Sequence, residues 1–145
     1  MPGIVVGVDG SGHSRKALEW AANEAVAHHA PLTVITVHQA VRDVYGVPSH
    51  YQEDAGLTEK ARQAAQAEAD QVLAGLSAQP VSVTVTAIHG LPTEELLKAC
   101  EGADLVVLGR RGTGGFGRLR MGSVSSQVSH HAHCPVLIVP HDENE

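Results

Sequence analysis

Cysteine is scarce: Cys100 and Cys134 are the only two in 145 residues. That is too few for a disulfide framework, and their spacing is not that of a metal site, so reduced, largely buried thiols are expected. Aromatic residues make up 3% of the chain, and ten Lys and Arg face sixteen Asp and Glu. A general nucleic-acid binder needs a basic face and stacking rings, so that class is excluded. No apolar run reaches about 18 residues, the length that would suggest a membrane span. The opening Met1-Pro2-Gly3-Ile4 lacks a basic region followed by an apolar one, so no signal peptide is expected and the cytoplasm is the default location. No G-x-x-x-x-G-K-[ST] run occurs, which removes a Walker-type NTPase. No Ser-His-Asp or paired-carboxylate arrangement can be picked out, because Glu94 and Glu95 are accounted for by a helix start.

What is present is a chain 43% hydrophobic, enough for one domain over residues 1–145 with a substantial core. Apolar periodicity alternates from end to end. Strands are expected at 4–9, 32–38, 81–88, 104–109 and 135–139. Helices are expected at 14–29, 57–76, 92–100 and 123–133. The first helix places Leu18, Ala21, Ala22 and Ala25 on one face, and the third has proline in its first turn. Residues 39–55, with Gly46, Pro48, Ser49 and Asp54, read as a long connection. Strands alternating with helices imply a parallel, doubly wound α/β sheet with right-handed crossovers.

The most informative segment lies near the end of the chain. Leu105-Val106-Val107-Leu108 is followed by Gly109-Arg110-Arg111-Gly112, nine residues, and then Gly122-Ser123-Val124-Ser125. A short apolar run closing on glycine reads as a buried parallel strand. The glycines after it let backbone amides form an anion-binding concavity, and Gly122-Ser123 opens a helix whose first N–H groups lack intrahelical partners. Arg110, Arg111, Arg118 and Arg120 fall in this window, and no Asp or Glu occurs between Asp104 and Asp142. In a chain of net charge -6, that local positive window points to a polyanionic ligand. At the other end, Gly7 sits inside the first strand, where backbone or ligand can approach closely. Asp9 stands at that strand's tip, where a carboxylate suits a ribose hydroxyl or a magnesium ion.

Plainer readings compete with each of these. Asp9-Gly10-Ser11 also suits a turn capping the next helix, and Ser123 also suits an N-cap. Gly112-Thr113-Gly114-Gly115-Phe116-Gly117 formally matches G-x-G-x-x-G, but no helix opens on those glycines and no acid follows at the right distance. His130 and His133 could share a helical face as metal ligands. Histidines at a helix end also complement its dipole, as His28 and His29 would for the first helix.

The run Ile4-Val5-Val6-Gly7-Val8-Asp9-Gly10-Ser11, Gly90-Leu91-Pro92 before the third helix, the Gly109-x2-Gly112-x9-Gly122-Ser123 spacing and Cys134-Pro135-Val136-Leu137-Ile138-Val139 closely resemble the universal stress protein family, over the whole chain. The resemblance implies a five-stranded Rossmann-like sheet in the order 3-2-1-4-5 with helices on both faces, and the glycine motif is that of the ATP-binding branch. By this resemblance Asp9 contacts the ribose or a phosphate-bound magnesium, Val37 borders the adenine and Gly109 approaches the ribose. Gly112, Gly122, Ser123 and Ser125 hold the phosphates. The nucleotide-binding candidates are therefore Gly7, Val8, Asp9, Val37, Gly109, Arg110, Arg111, Gly112, Gly114, Gly122, Ser123, Val124 and Ser125. Asp9 is also the candidate metal ligand, with ATP and magnesium as the expected ligands.

Two functional classes follow: a cytoplasmic, nucleotide-binding stress regulator in which hydrolysis is slow or absent, or an interaction module of the same fold with a vestigial pocket. A dedicated enzyme is a third, weaker option. The apolar run 136–139 between Pro135 and Pro140 occupies a sheet edge in the implied order. An uncovered edge of that kind is expected to pair with a second copy and form a homodimer.

Overall fold

The computed structural model describes residues 3–39, 55–110 and 122–140. The elements run β1 (Ile4–Val8), α1 (Gly12–Ala27), β2 (Leu32–Gln39), α2 (Ala55–Ala74), β3 (Val83–Gly90), α3 (Pro92–Cys100), β4 (Leu105–Gly109), α4 (Ser123–His131) and β5 (Val136–Val139). All strand pairs are parallel and the sheet order is β3-β2-β1-β4-β5, the expected doubly wound arrangement. Most of the connection expected over 39–55, together with Arg111, Gly112, Gly114, Arg118 and Arg120, lies outside the described residues.

Strand alternation sends successive side chains to opposite faces, and two apolar clusters result. On one face Ile4, Val6 and Val8 of β1 meet α1 and α2; on the other Val5, Ile35, Val106 and Leu108 meet α3 and α4. The expected α1 stripe of Leu18, Ala21, Ala22 and Ala25 is fully buried against the sheet, and Ala17 joins it. Alanine allows the helix to come close, and burying Leu18 contributes about 2–3 kcal/mol. Leu137 and Val139 of β5 join the first cluster, Val136 and Ile138 the second.

Several boundaries differ from the sequence reading, each for a local reason. α1 begins at Gly12 rather than at 14 because Ser11 caps it. It ends at Ala27 rather than at 29, where His29 turns into the left-handed region at φ 52. There the His29 N–H donates to Val26 O and the Ala30 N–H to Ala25 O, the pair of bonds that closes a Schellman turn. β3 runs over Val83–Gly90 rather than 81–88 because its ladder with β2 starts at Leu32↔Val83 and continues to Gln39↔Gly90. Val81 continues the Val/Thr alternation but is exposed. α4 stops at His131, so His133 does not share its helical face with His130. Only Cys100 is fully buried; Cys134 is partly exposed. Burial first, and the neighbouring Cys134 second, push the Cys100 thiol up to about 12.

Candidate functional site

The chain passes from β1 outward to β2 and β3, then crosses back through α3 to β4 and β5 on the other side. Strand order therefore reverses between β1 and β4, where open parallel sheets bind ligands beyond the strand ends. The β1–β2 ladder extends to Val8↔Thr36, whereas the β1–β4 ladder ends at Val6↔Val107. Val8 and Gly109, the last residues of these strands, lie beyond that paired register.

A compact turn joins β1 to α1. Asp9 Oδ1 accepts the Ser11 N–H at 2.9 Å, and Ser11 Oγ accepts the Ser14 N–H at 3.2 Å. Ser14 Oγ accepts the Asp9 N–H at 3.1 Å and donates to Ser11 O at 3.1 Å. Gly10 supplies the left-handed residue, φ +83, that this reversal needs. The capping reading of Asp9-Gly10-Ser11 is thus realised, while the Asp9 side chain stays exposed.

The end of β4 is packed against this turn. A Cβ on Gly109 would come within 2.7 Å of His13 O and 2.9 Å of the His13 carbonyl carbon, so only glycine lets the first turn of α1 lie across the strand end. Gly7 has a different reason. A Cβ there would meet Leu108 Cδ2 at 2.9 Å and Leu96 Cδ2 at 3.1 Å, so the close approach at Gly7 is made by two leucines of the α3/α4 face.

Beyond Gly109 the chain leaves and returns to nearly the same point. Arg110 O accepts the Gly122 N–H at 2.6 Å and the Ser125 hydroxyl at 2.9 Å. The Arg110 N–H donates to Val139 O at 2.9 Å. Ser125 is buried, and its hydroxyl also lies 3.1 Å from Gly122 O. This junction holds the N-terminus of α4 at the C-terminal end of β4. The N-cap is Gly122 and not Ser123, which is the first helical residue and exposed. A glycine cap has no side chain to occupy the amides of Ser123, Val124 and Ser125, which have no intrahelical acceptors. Neither α1 nor α4 has an acidic residue in its first turn; the Asp9 carboxylate stands just ahead of the α1 cap, whereas no acid precedes α4 back to Asp104.

The structure thus gathers Val8, Asp9, Gly109, Arg110, Gly122, Ser123, Val124 and Ser125 around the ends of β1 and β4. Val37 stands one strand away on the α3/α4 face, close to Ile88 in the same cluster. Ser14 and Glu68 were not singled out from sequence. The Ser11-x-x-Ser14 spacing is a capping signal that would have found the first. Glu68 carries none, because it depends on how α2 packs against α1. There Arg15 Nη1 donates to Gln71 Oε1 at 2.9 Å, and Glu68 Oε1 is enclosed without a hydrogen-bond partner. Burial pushes the Glu68 carboxyl above its ordinary range, Arg15 pulls it back and Asp9 pushes it further up. A separate recess of about 360 Å³ between α3 and the end of α4, lined by Glu94, Leu97, Lys98, Glu101, His131 and His133, contains none of the candidate residues. Among the described residues no helix is long and apolar enough to cross a membrane, and no group of three or more His, Cys, Asp or Glu could hold a metal ion.

Comparison with known proteins bears on family and fold. A universal stress protein of Thermus aquaticus is 37% identical over 94% of this chain and 96% of its own length. One from Mycolicibacterium smegmatis is 34% identical over 97% of this chain, which spans only 49% of that longer protein. Among solved structures, a universal stress protein in complex with cAMP superposes with a TM-score of 0.68 at 25% identity, covering 97% of this chain and 98% of the other. The sequence profile of the Universal stress protein family matches residues 2–140, and with the 3-2-1-4-5 sheet and the crevice between β1 and β4, this establishes that the chain belongs to the universal stress protein family.

Proposed function

We propose that this chain is a cytoplasmic adenine-nucleotide-binding protein that takes ATP, with magnesium, in the crevice between β1 and β4 and acts as a stress-linked regulator. The observation that carries the reading is the Arg110–Gly122–Ser125 junction, which aims the first turn of α4 at the space beyond β4. Oriented amides there suit the charge of a phosphate chain, and an arginine at the same junction would add to that. The cAMP complex of a related protein supports an adenine nucleotide as the ligand class. Val37 would border the base, Val8 and Gly109 the ribose, and Gly112, Gly114, Gly122, Ser123 and Val124 the phosphates, with Arg111 adding charge.

The exposed Asp9 carboxylate at the strand tip is a hard oxygen donor of the type magnesium takes. When bound, magnesium would neutralise phosphate charge; Asp9 would hold it while its Oδ1 keeps the turn closed. No side chain here is assigned to activate a water, and the reading carries hydrolysis that is slow or absent.

The edge strand β5 supports a homodimer. Its Pro135 and Val139 carbonyls accept bonds from Val106 and Arg110 of β4, so by alternation the N–H and C=O groups of Val136 and Ile138 point away from the sheet, toward a second copy.

The test is ATP affinity with and without magnesium for wild type, for the double variant Gly112→Val with Gly122→Val, and for Asp9→Ala. Binding that disappears in the double variant while circular dichroism is unchanged, and that loses magnesium dependence in Asp9→Ala, supports the reading. Unchanged affinity in a folded double variant refutes the cradle. A wild type that binds no adenine nucleotide favours the interaction module with a vestigial pocket.

A further inference from the structure

Parallel pairing of β2 with β3 puts His38 directly beside His89, one pair before the ladder ends at Gln39↔Gly90. By strand alternation both share a face with Val34 and Val85, the face covered by α2. Their ring centroids are 4.8 Å apart with the planes tilted by 36°. From α2, Thr58 Oγ1 lies 2.8 Å from His38 Nε2. Both imidazoles are only half-buried.

We infer that His38 and His89 form a two-histidine site for a divalent transition-metal ion of the imidazole-binding class, with Thr58 as a positioning residue and solvent completing the coordination. A metal–nitrogen bond of about 2.1 Å puts a ring centroid roughly 3.2 Å from the ion, so two rings at about 90–109° have centroids about 4.5–5.2 Å apart. The observed 4.8 Å falls inside that interval without rearrangement of either strand. Register brings the two residues side by side, paired Cα to Cα, and their rotamers set the ring separation.

Thr58 supplies the second element. A metal-binding histidine characteristically donates its other ring N–H to an oxygen, which selects the tautomer and orients the ring. With the Nε2–H of His38 donated to Thr58 Oγ1, Nδ1 holds the lone pair and is the ligand atom. The site is independent of the nucleotide reading, although His38 follows Val37 directly in β2. The ion class follows from donor chemistry: imidazole nitrogens suit Zn²⁺, Ni²⁺ and Cu²⁺, whereas magnesium and calcium require oxygen.

Ni²⁺ is the probe, titrated calorimetrically into the tag-free full chain without nucleotide. Saturable binding is expected. It should weaken at least tenfold in His38→Ala and in His89→Ala, and roughly ten- to a hundredfold in Thr58→Val. It should stay within a factor of about two of wild type in the control that converts His130, His131 and His133 to Ala, since those rings lie outside the proposed ligand set. Absence of saturable binding in wild type, or equal binding in the His38 and His89 variants, overturns the proposal. Should either variant fail to fold, substoichiometric Ni²⁺ added to wild type decides by paramagnetic broadening. Val37, His38, Ile88 and His89 resonances broadening first supports the site; those of α4 broadening first refutes it.

Discussion

Gly109→Ala tests how the candidate site is held together. Gly109 is not in the left-handed region, so alanine suits its backbone and any cost is steric. The added Cβ would stand 2.7 Å from His13 O and 3.1 Å from His13 Cβ, so α1 or the tip of β4 must move by about 0.7 Å to restore an ordinary contact. Overpacking of this kind costs about 1–3 kcal/mol. An unfolding entropy near 2.1 cal/mol/K per residue gives roughly 0.3 kcal/mol/K for a chain this long, so the melting temperature should fall by about 3–10 °C. Gly7→Ala is the internal control. Its Cβ meets the methyl tips of Leu108 and Leu96, which can rotate away, and alanine regains roughly 0.5–1 kcal/mol in an element interior. Its melting temperature should therefore stay within about 3 °C of wild type. The assay is thermal unfolding followed by circular dichroism, with amide exchange at Ser14 and Arg15 reporting the first turn of α1. Because that turn carries the bonds of Asp9, Ser11 and Ser14, Gly109→Ala should also weaken nucleotide binding. A Gly109→Ala protein melting within about 1 °C of wild type, or a Gly7→Ala protein destabilised equally, would refute the reasoning.

Ser125→Ala removes the hydroxyl bond to Arg110 O but leaves that carbonyl with the Gly122 N–H, so a loss of about 1 kcal/mol is expected in urea unfolding. Glu68→Gln should stabilise the protein at neutral pH by less than about 1 kcal/mol, since the carboxyl is only partly enclosed. The Glu68 carboxyl is raised in the folded state, so its contribution is complete below the ordinary glutamate range and is lost as pH rises through the folded value. The advantage of glutamine should therefore vanish in acid, and an advantage that grows on acidification would contradict this. Iodoacetamide at neutral pH should label Cys134 and leave Cys100 unmodified until the protein unfolds, as read by peptide mass spectrometry, because the Cys100 thiol is both buried and raised to about 12. Light scattering of wild type should give twice 15.2 kDa, with Ile138→Lys shifting it to monomers or soluble aggregates; a wild-type mass of 15.2 kDa would sink the dimer.

The sequence by itself determined the layered α/β architecture and the positions of its strands, because burial on one stripe or on both faces leaves a periodicity of 3.6 or of 2 in the apolar residues. Leu18, Ala21, Ala22 and Ala25 were legible as a buried face, and Leu137 and Val139 as sharing a side opposite Ile138, from spacing alone. Glycine spacing and missing acids marked the segment around Gly109 and Gly122 as a candidate site, and the structure brings both ends of that segment together at Arg110. Tertiary structure alone decided what depends on distant partners. Whether Gly7 admits a ligand or a leucine depends on where α3 sets Leu96, and whether Gly109 tolerates a methyl depends on His13, 96 positions earlier in the chain. Neither strand length nor propensity could show that β3 slides two residues along, because its limits are set by the β2 ladder. Glu68 comes under the charges of Arg15 and Asp9, and His38 meets His89, only through packing and register. These are long-range contacts, and nothing in the local composition of either partner records them.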